Sequence, residues 1–363
     1  MKTSRRRFLG QLAIGAAGLT VGARSWASTV VAKKKDKLGV ALVGLGYYST
    51  DLLAPALQLT EHCHLAGVVS GTPAKLKAWQ EKYRLPDAAL YDYKNFDTIA
   101  NNPAIDVVYV VLPPSMHAEY TIRAAKAGKH VWCEKPMAPS VKDCEAMIAA
   151  CRDNGVTLAI GYRLHHEPNT RKIMEFRRTQ KYGPAVKAMA EAGYFDPRKD
   201  HWKQKKAMGG GVMGDMGVYP LNALRYGVGL EPIAVTAKAS TTRPEIYTEV
   251  EETMAFELEF PGGATGRGLA SFGQGMNKLR VENTQGSYEL APFQAYSGVQ
   301  GKTSDGIVLT AAPGNQQARQ MDDDALAIIH GTPLLAPGEE GLKDTRVVEA
   351  IYRAAASGQK EKV

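Results

Sequence analysis

Two textures of apolar and polar positions divide the chain, and the change falls just after Arg163. Before it, short and nearly unbroken apolar runs recur at Leu38–Val43, His64–Val69, Ile105–Val111, His130–Cys133 and Val156–Ile160. Runs of this length without polar alternation suit strands covered on both faces, which are the strands of parallel sheets. Helical patterns lie between them: Leu52, Leu53, Ala56 and Leu57 share one face, and Ser140 caps a helix that stops at Asn154-Gly155. Beyond Arg163, Val186–Glu191, Thr253–Phe260 and Thr265–Phe272 alternate with period two, as in an antiparallel sheet with one covered face. The pattern predicts an α/β Rossmann domain, a doubly wound parallel sheet, over 37–160. An α+β domain with a large open, mostly antiparallel sheet follows over 161–363.

The first 27 residues stand outside this pattern. Ser4-Arg5-Arg6-Arg7-Phe8-Leu9, the apolar run Leu12–Val21 and the small-residue site Ser25-Trp26-Ala27 form a twin-arginine export signal, with cleavage after Ala27. Gly15, Gly18 and Gly22 interrupt an apolar run already shorter than the roughly 20 residues of a spanning helix, so no stable membrane anchor is expected. Such a signal passes a folded protein through the twin-arginine translocation machinery to the periplasm. A redox cofactor bound there must travel with the chain.

Export also changes the charge. The signal carries Lys2, Arg5, Arg6, Arg7 and Arg24 and no acid, so losing these five charges lowers the formal net charge from +8 to +3. No arginine-rich stripe interleaved with aromatics remains, which excludes nucleic acid as a partner. Lys33-Lys34-Lys35 falls in an N-terminal arm, 28–36, and reads as solvated. Cys63, Cys133, Cys144 and Cys151 lack metal-ligand spacing and read as structural thiols.

Candidate chemistry clusters behind the predicted parallel strands. Gly44-Leu45-Gly46-Tyr47-Tyr48-Ser49 follows the first strand and opens a helix. There Gly44 makes a tight turn, Gly46 admits a pyrophosphate, and the helix N-terminus faces its charge. Ser49 stands where a third glycine is usual. The second strand ends in Ser70-Gly71-Thr72-Pro73-Ala74-Lys75, without the carboxylate that accepts from the ribose hydroxyls of NAD. Ser70 and Thr72 can donate to a 2′-phosphate and Lys75 can neutralise it, so NADP is expected, tightly bound. Leu112-Pro113-Pro114-Ser115-Met116-His117 and Glu134-Lys135-Pro136 reach the same edge. His117 serves there either as a ligand or as a cap or packing residue.

These motifs, followed by Gly161-Tyr162-Arg163, occur in the order found in the glucose-fructose oxidoreductase and inositol dehydrogenase (Gfo/Idh/MocA) family, which the chain resembles from about Lys37 to Ile351. Tyr91–Asp97 and Gly209–Asn222 resemble most the branch of glucose-fructose and aldose-aldose oxidoreductases. The resemblance implies a sugar substrate and a cofactor contact from Tyr93, Glu134, Lys135 and Arg163. It also implies subunits joined through the open sheet, as a dimer or tetramer. Most relatives carry histidine at the position of Tyr219, whereas that branch carries tyrosine.

Asp215 and Tyr219 are four residues apart after Gly209-Gly210-Gly211 and project from one helix face. Removing hydride from a sugar C1 requires a base for the hydroxyl proton. Tyr219 is the candidate, its phenolate favoured by the Lys135 ammonium. Lys135 also binds the C1 oxygen, Asp215 accepts from sugar hydroxyls, His201-Trp202-Lys203 lines the sugar site with Trp202 offering a stacking face, and Arg163 reaches either the nicotinamide or the substrate. His165, His166, Glu167 and His201 lack metal-site spacing, and no metal is expected. The loops Glu191–Phe195 and Pro292–Gly298 shape the pocket.

The expected activity is an exported, NADP-dependent oxidoreductase. It oxidises an aldose at C1 to its lactone and reduces a second sugar, aldose or ketose, to a polyol with the same cofactor, by a ping-pong cycle. The alternatives are a nicotinamide-dependent glycoside hydrolase, a plain aldose 1-dehydrogenase, and a non-catalytic NADP-binding sugar sensor.

Overall fold

The computed structural model describes residues 35–363. The export signal and the arm up to Lys34 lie outside the described residues. Six strands form a parallel sheet: β1 (Leu38–Val43), β2 (Cys63–Val69), β3 (Leu90–Tyr91), β4 (Val107–Val110), β5 (His130–Cys133) and β6 (Leu158–Ile160). Their order is β3-β2-β1-β4-β5-β6, so connections leave β1 in both directions and a crevice opens at the C-terminal ends of the strands there. The unbroken apolar runs have a direct cause. Ala41, Val43, Val108, Val110, Val131 and Cys133 pack into the core on one face. The alternate residues Val40, Leu42, Val107, Tyr109 and Trp132 pack into the core on the other.

The second sheet has nine strands: β7 (Ala185–Gly193), β8 (Ala234–Ser240), β9 (Thr253–Glu259), β10 (Thr265–Ser271), β11 (Met276–Asn283), β12 (Gly286–Leu290), β13 (Gly301–Thr303), β14 (Val308–Leu309) and β15 (Glu361–Lys362). They lie in the order β14-β13-β12-β11-β7-β10-β9-β8-β15. β7 and β10 run parallel and the other pairs antiparallel, so the sheet is mixed but mostly antiparallel. Period two separates its faces. Ala188, Ala190, Met254, Phe256, Leu258, Leu279 and Val281 face a core shared with Leu221, Leu224 and Val228 of the helix Val218–Val228. Met189, Glu191, Lys238, Glu257, Arg267 and Leu269 line a shallow depression on the opposite face.

The chain then returns to the first sheet. The helix Gln316–His330 sets Ala318, Met321 and Ala325 into the same core as Val40 and Tyr109. The helix Gly338–Ser357 gives Val347, Ile351 and Ala354 to the second core, while Leu342 packs on the first. The last roughly fifty residues therefore pack on both halves. All four cysteines are buried and free. Among the described residues no helix is long and apolar enough to cross a membrane.

Candidate active site

The loops that leave the parallel strands converge on one edge. Gly44 has φ of +93°, and a Cβ there would stand 2.3 Å from the Val111 carbonyl, so the turn needs glycine for both conformation and space. A Cβ at Gly46 would meet nothing within 4 Å, which leaves its backbone open to a pyrophosphate. Ser49 is buried and its hydroxyl donates to the Gly44 carbonyl, closing the turn where a third glycine is usual. The Lys75 ammonium donates to the Leu45 carbonyl at 3.0 Å, tying the loop after β2 to the glycine turn. Ser70 accepts from the Thr72 amide at 3.2 Å, and the Tyr93 ring lies against Gly71. The segment from Ser70 to Lys75 carries no carboxylate. The cradle fits a nicotinamide dinucleotide.

His117 occupies a packing position, one of the two readings open for it. It is buried, one ring nitrogen lies 2.9 Å from the Pro136 carbonyl, and the other lies 2.7 Å from that of Leu112. Burial favours the neutral ring, which donates from one nitrogen at a time, and its position packs the Leu112-Pro113 turn against the Lys135-Pro136 turn. Glu134 is also buried, and burial pushes its carboxyl above the ordinary range. The Tyr109 hydroxyl donates to it at 2.6 Å, and a Cβ on Gly161 would fall 2.6 Å from its Oε1.

Lys135, Asp215 and Tyr219 come together. A π-helical turn, Met213–Gly217, precedes the helix Val218–Val228, and both residues of that stretch face the Lys135 side chain from across the crevice. Lys135 Nζ donates to the Asp215 carbonyl at 2.8 Å, lies 3.4 Å from Asp215 Oδ1, and sits 4.4 Å from the Tyr219 ring centroid. Burial works against a phenolate at Tyr219, but the charges of Lys135 and Arg163 outweigh it and hold the hydroxyl below its ordinary value. Burial likewise opposes the Lys135 charge, and Tyr219 and Asp215 outweigh it, so the ammonium titrates above its ordinary value. Asp215 is held well below the carboxylate range: burial opposes this, and Lys203 and then Lys135 override it.

Arg163 stands behind Tyr219. It is 3 % exposed, donates to the Ala295 carbonyl at 2.7 Å and to Gln316, and its guanidinium lies 5.5 Å from the Tyr219 ring centroid and 4.9 Å from that of Tyr296. Its hydrogen bonds thus go to the Pro292–Gly298 loop and the last-but-one helix, and its field goes to Tyr219. Trp202 lies on the rim in a short 3₁₀ turn, with its ring 5.8 Å from the Lys203 ammonium. His165 and His166 diverge: the first reaches Asn222 at 2.8 Å, the second Asp323 at 2.8 Å.

Several members of the site were marked by the residue patterns only as parts of a segment, or not at all. Tyr194 and Lys203 both reach Asp215, Tyr296 lies 6.1 Å from Tyr48 across the crevice, and Gln316 holds Arg163. Tyr194 and Tyr296 sit in the two pocket-shaping loops, and Lys203 follows Trp202. The only local signal was therefore their neighbourhood. Gln316 had none, since it is brought in by a helix from the far end of the chain.

A dinucleotide cradle at a parallel-sheet edge, faced by a lysine, a carboxylate and a tyrosine of lowered pKa from an open mixed sheet, defines a nicotinamide-dependent oxidoreductase. Residues 38–162 match the oxidoreductase family with an NAD-binding Rossmann fold, and residues 170–289 match the GFO/IDH/MocA C-terminal domain. The chain belongs to the Gfo/Idh/MocA family, and it is a sugar oxidoreductase. It is 41% identical to aldose-aldose oxidoreductase from Caulobacter crescentus, solved in complex with glycerol. The match has a TM-score of 0.87 over 90% of this chain and 100% of that one. It is also 27% identical to D-xylose 1-dehydrogenase [NADP(+)] of Haloarcula marismortui over 87% of this chain and 90% of the relative. Levoglucosan dehydrogenase, solved with NADH and levoglucosan, shares the fold at 21% identity and a TM-score of 0.78.

Proposed function

We propose that this sugar oxidoreductase carries a tightly bound NADP to the periplasm and there couples two half-reactions on one site. An aldose is oxidised at C1 to its lactone, and a second sugar is reduced to a polyol before the cofactor leaves. The observation that carries the reading is the placement of Tyr219 between two cations, Lys135 and Arg163, on the wall facing the cradle. The similarity to an aldose-aldose oxidoreductase supports it.

NADP, when bound, supplies the hydride acceptor for the first sugar and the donor for the second. Gly44, Leu45, Gly46, Tyr47 and Tyr48 would hold its pyrophosphate side, and Ser70, Thr72 and Lys75 its 2′-phosphate. The lack of a carboxylate after β2 favours NADP over NAD. Tyr219, as phenolate, takes the proton of the C1 hydroxyl; Lys135 binds the C1 oxygen; Asp215 accepts from ring hydroxyls. In the second half-reaction Tyr219 returns that proton to the carbonyl oxygen of the acceptor. No net proton is exchanged with solvent over the cycle, which suits an enzyme outside the cytoplasm.

The twin-arginine segment at Ser4–Leu9 motivates export of the folded holoenzyme, and the uncovered face of the second sheet offers the surface for a homo-oligomer. One experiment tests the central reading. Purified protein is denatured and its released nucleotide identified; fresh protein is then incubated with mixed sugars and no added cofactor. NADP in near-stoichiometric amount, with lactone and polyol in equal yield, is the expected result. Activity only with continuous external cofactor would leave a plain aldose dehydrogenase, and release of a leaving group from an aryl glycoside would favour a hydrolase.

A further inference from the structure

Asp215 is shared by two lysines, and only one of them faces the tyrosine. Its Oδ1 lies 3.4 Å from Lys135 Nζ, whereas its Oδ2 takes the Lys203 ammonium and lies 3.5 Å from the Tyr194 hydroxyl. The side chains of Lys135, Lys203 and Asp215 are 13 %, 15 % and 13 % exposed, so these charges are felt at low dielectric.

Lys203 is also confined. Its ammonium donates to Tyr194 at 3.0 Å and lies 5.3, 5.8 and 5.9 Å from the ring centroids of Tyr194, Trp202 and Phe272. Three aromatic faces and one carboxylate make a cage in which a lysine ammonium is held electrostatically. The Tyr194 hydroxyl is in turn engaged by Arg198 at 3.0 Å, which pairs with Asp196. The aromatic faces of the cage thus come from the ends of β7 and β10 and the segment before Gly209, none of which carries Lys135 or Tyr219, and Asp215 closes it from the stretch before Tyr219.

We propose that Lys203 is a positioning residue: it takes up the Asp215 carboxylate so that Lys135 is left to act on Tyr219 and on the sugar oxygen. This inference rests on the proposed role of Tyr219 as base. The groups facing Tyr219 are Lys135, Arg163, Asp215, Tyr48 and Tyr296, and of these only Asp215 carries a full negative charge. Those facing Asp215 are Lys135, Lys203 and Tyr194, with Arg198 and His201 further out. Without Lys203, Asp215 opposes the phenolate with its charge uncompensated and draws Lys135 toward itself. Both effects make Tyr219 harder to deprotonate.

The test compares Lys203→Met and Lys203→Arg in the purified holoenzyme, reading kcat/KM for aldose oxidation against pH together with bound nucleotide content. Lys203→Met is expected to keep its nucleotide and to move the rising limb of the profile upward by about one pH unit, with about a tenfold loss of activity near neutrality. Lys203→Arg is expected to keep the limb close to that of the wild type. Lys203→Gln gives the same readout as Lys203→Met should the latter fail to fold. A limb that stays in place in the neutral variants, or that moves equally in Lys203→Arg, overturns the inference. The role of Tyr219 is judged separately: if Tyr219→Phe retains activity, the base assignment itself fails.

Discussion

The Lys135 ammonium lies 4.4 Å from the centroid of the Tyr219 ring, although 83 residues of chain lie between them and they belong to opposite walls of the crevice. A buried tyrosine would ordinarily resist ionisation. Here the cation on one wall, joined by Arg163 behind the ring, reverses that tendency and gives the proposed base its chemistry.

Replacing Tyr219 with phenylalanine should therefore remove the base while leaving the cradle intact. We expect aldose oxidation to fall by roughly 10²–10⁴-fold, the usual worth of a positioned general base, with bound nucleotide content unchanged. Steady-state rates and absorbance of the released nucleotide check both parts.

The two half-reactions should depend on pH with opposite signs. Oxidation needs the phenolate, so its kcat/KM rises with pH and levels off above the lowered pKa of Tyr219. Reduction needs the neutral hydroxyl, so its kcat/KM is level at lower pH and falls as pH rises through the same value. Lys135→Met removes the larger of the two cationic influences and should move both limbs upward. Single-turnover kinetics of each half-reaction measure this.

Asp215 links the site to acid stability. Its folded carboxyl titrates below the unfolded one, so it contributes stability that is present above the unfolded carboxylate pKa of about 3.9 and is lost as pH falls through the depressed value. Asp215→Asn should melt at lower temperature than the wild type near neutrality, with the difference shrinking below about pH 4. A difference independent of pH would count against this linkage.

Nucleotide choice should turn on the loop after β2. Ser70→Asp places a carboxylate where it accepts from ribose hydroxyls and repels a 2′-phosphate. Lost charge-assisted hydrogen bonds of about 1.5–3 kcal/mol predict NADP binding weakened by roughly 10–100-fold. Lys75→Ala should weaken NADP by less and also loosen the glycine turn, because Lys75 donates to the Leu45 carbonyl. Titration of nucleotide-free protein with NADP and NAD distinguishes the two variants.

Gly44→Ala is expected to disrupt folding and cofactor retention together. The substitution combines a positive φ with a 2.3 Å approach of Cβ to the Val111 carbonyl, and strain at such positions costs about 1–3 kcal/mol before the clash is counted. Thermal melting and nucleotide content read it, and Gly46→Ala, with open space around its Cβ, should leave melting almost unchanged.

Residue patterns alone indicated the parallel sheet and three strands of the second sheet, β7, β9 and β10, because the interactions responsible are local. A strand covered on both faces must be apolar throughout, as Leu38–Val43 is, and one covered on a single face must alternate, as Thr253–Glu259 does. A turn with positive φ and a close carbonyl needs glycine where Gly44 stands. The two-residue strand Leu90–Tyr91 was not legible, since it is too short to carry a period and exists by pairing with Val68 and Val69.

The electrostatics of the site were decided by tertiary structure. Lys135 and Arg163 reach Tyr219, and Lys135 and Lys203 reach Asp215, only when the two sheets face across the crevice. Which lysine neutralises Asp215, and which faces Tyr219, depends on distances of a few ångströms between elements remote in sequence. His117 shows the same limit: the sequence left it as a ligand or a packing residue, and its ring lies between carbonyls of two loops that only folding brings together. Local periodicity reports which face of an element is buried. It does not report what lies opposite, and charge interactions depend on that.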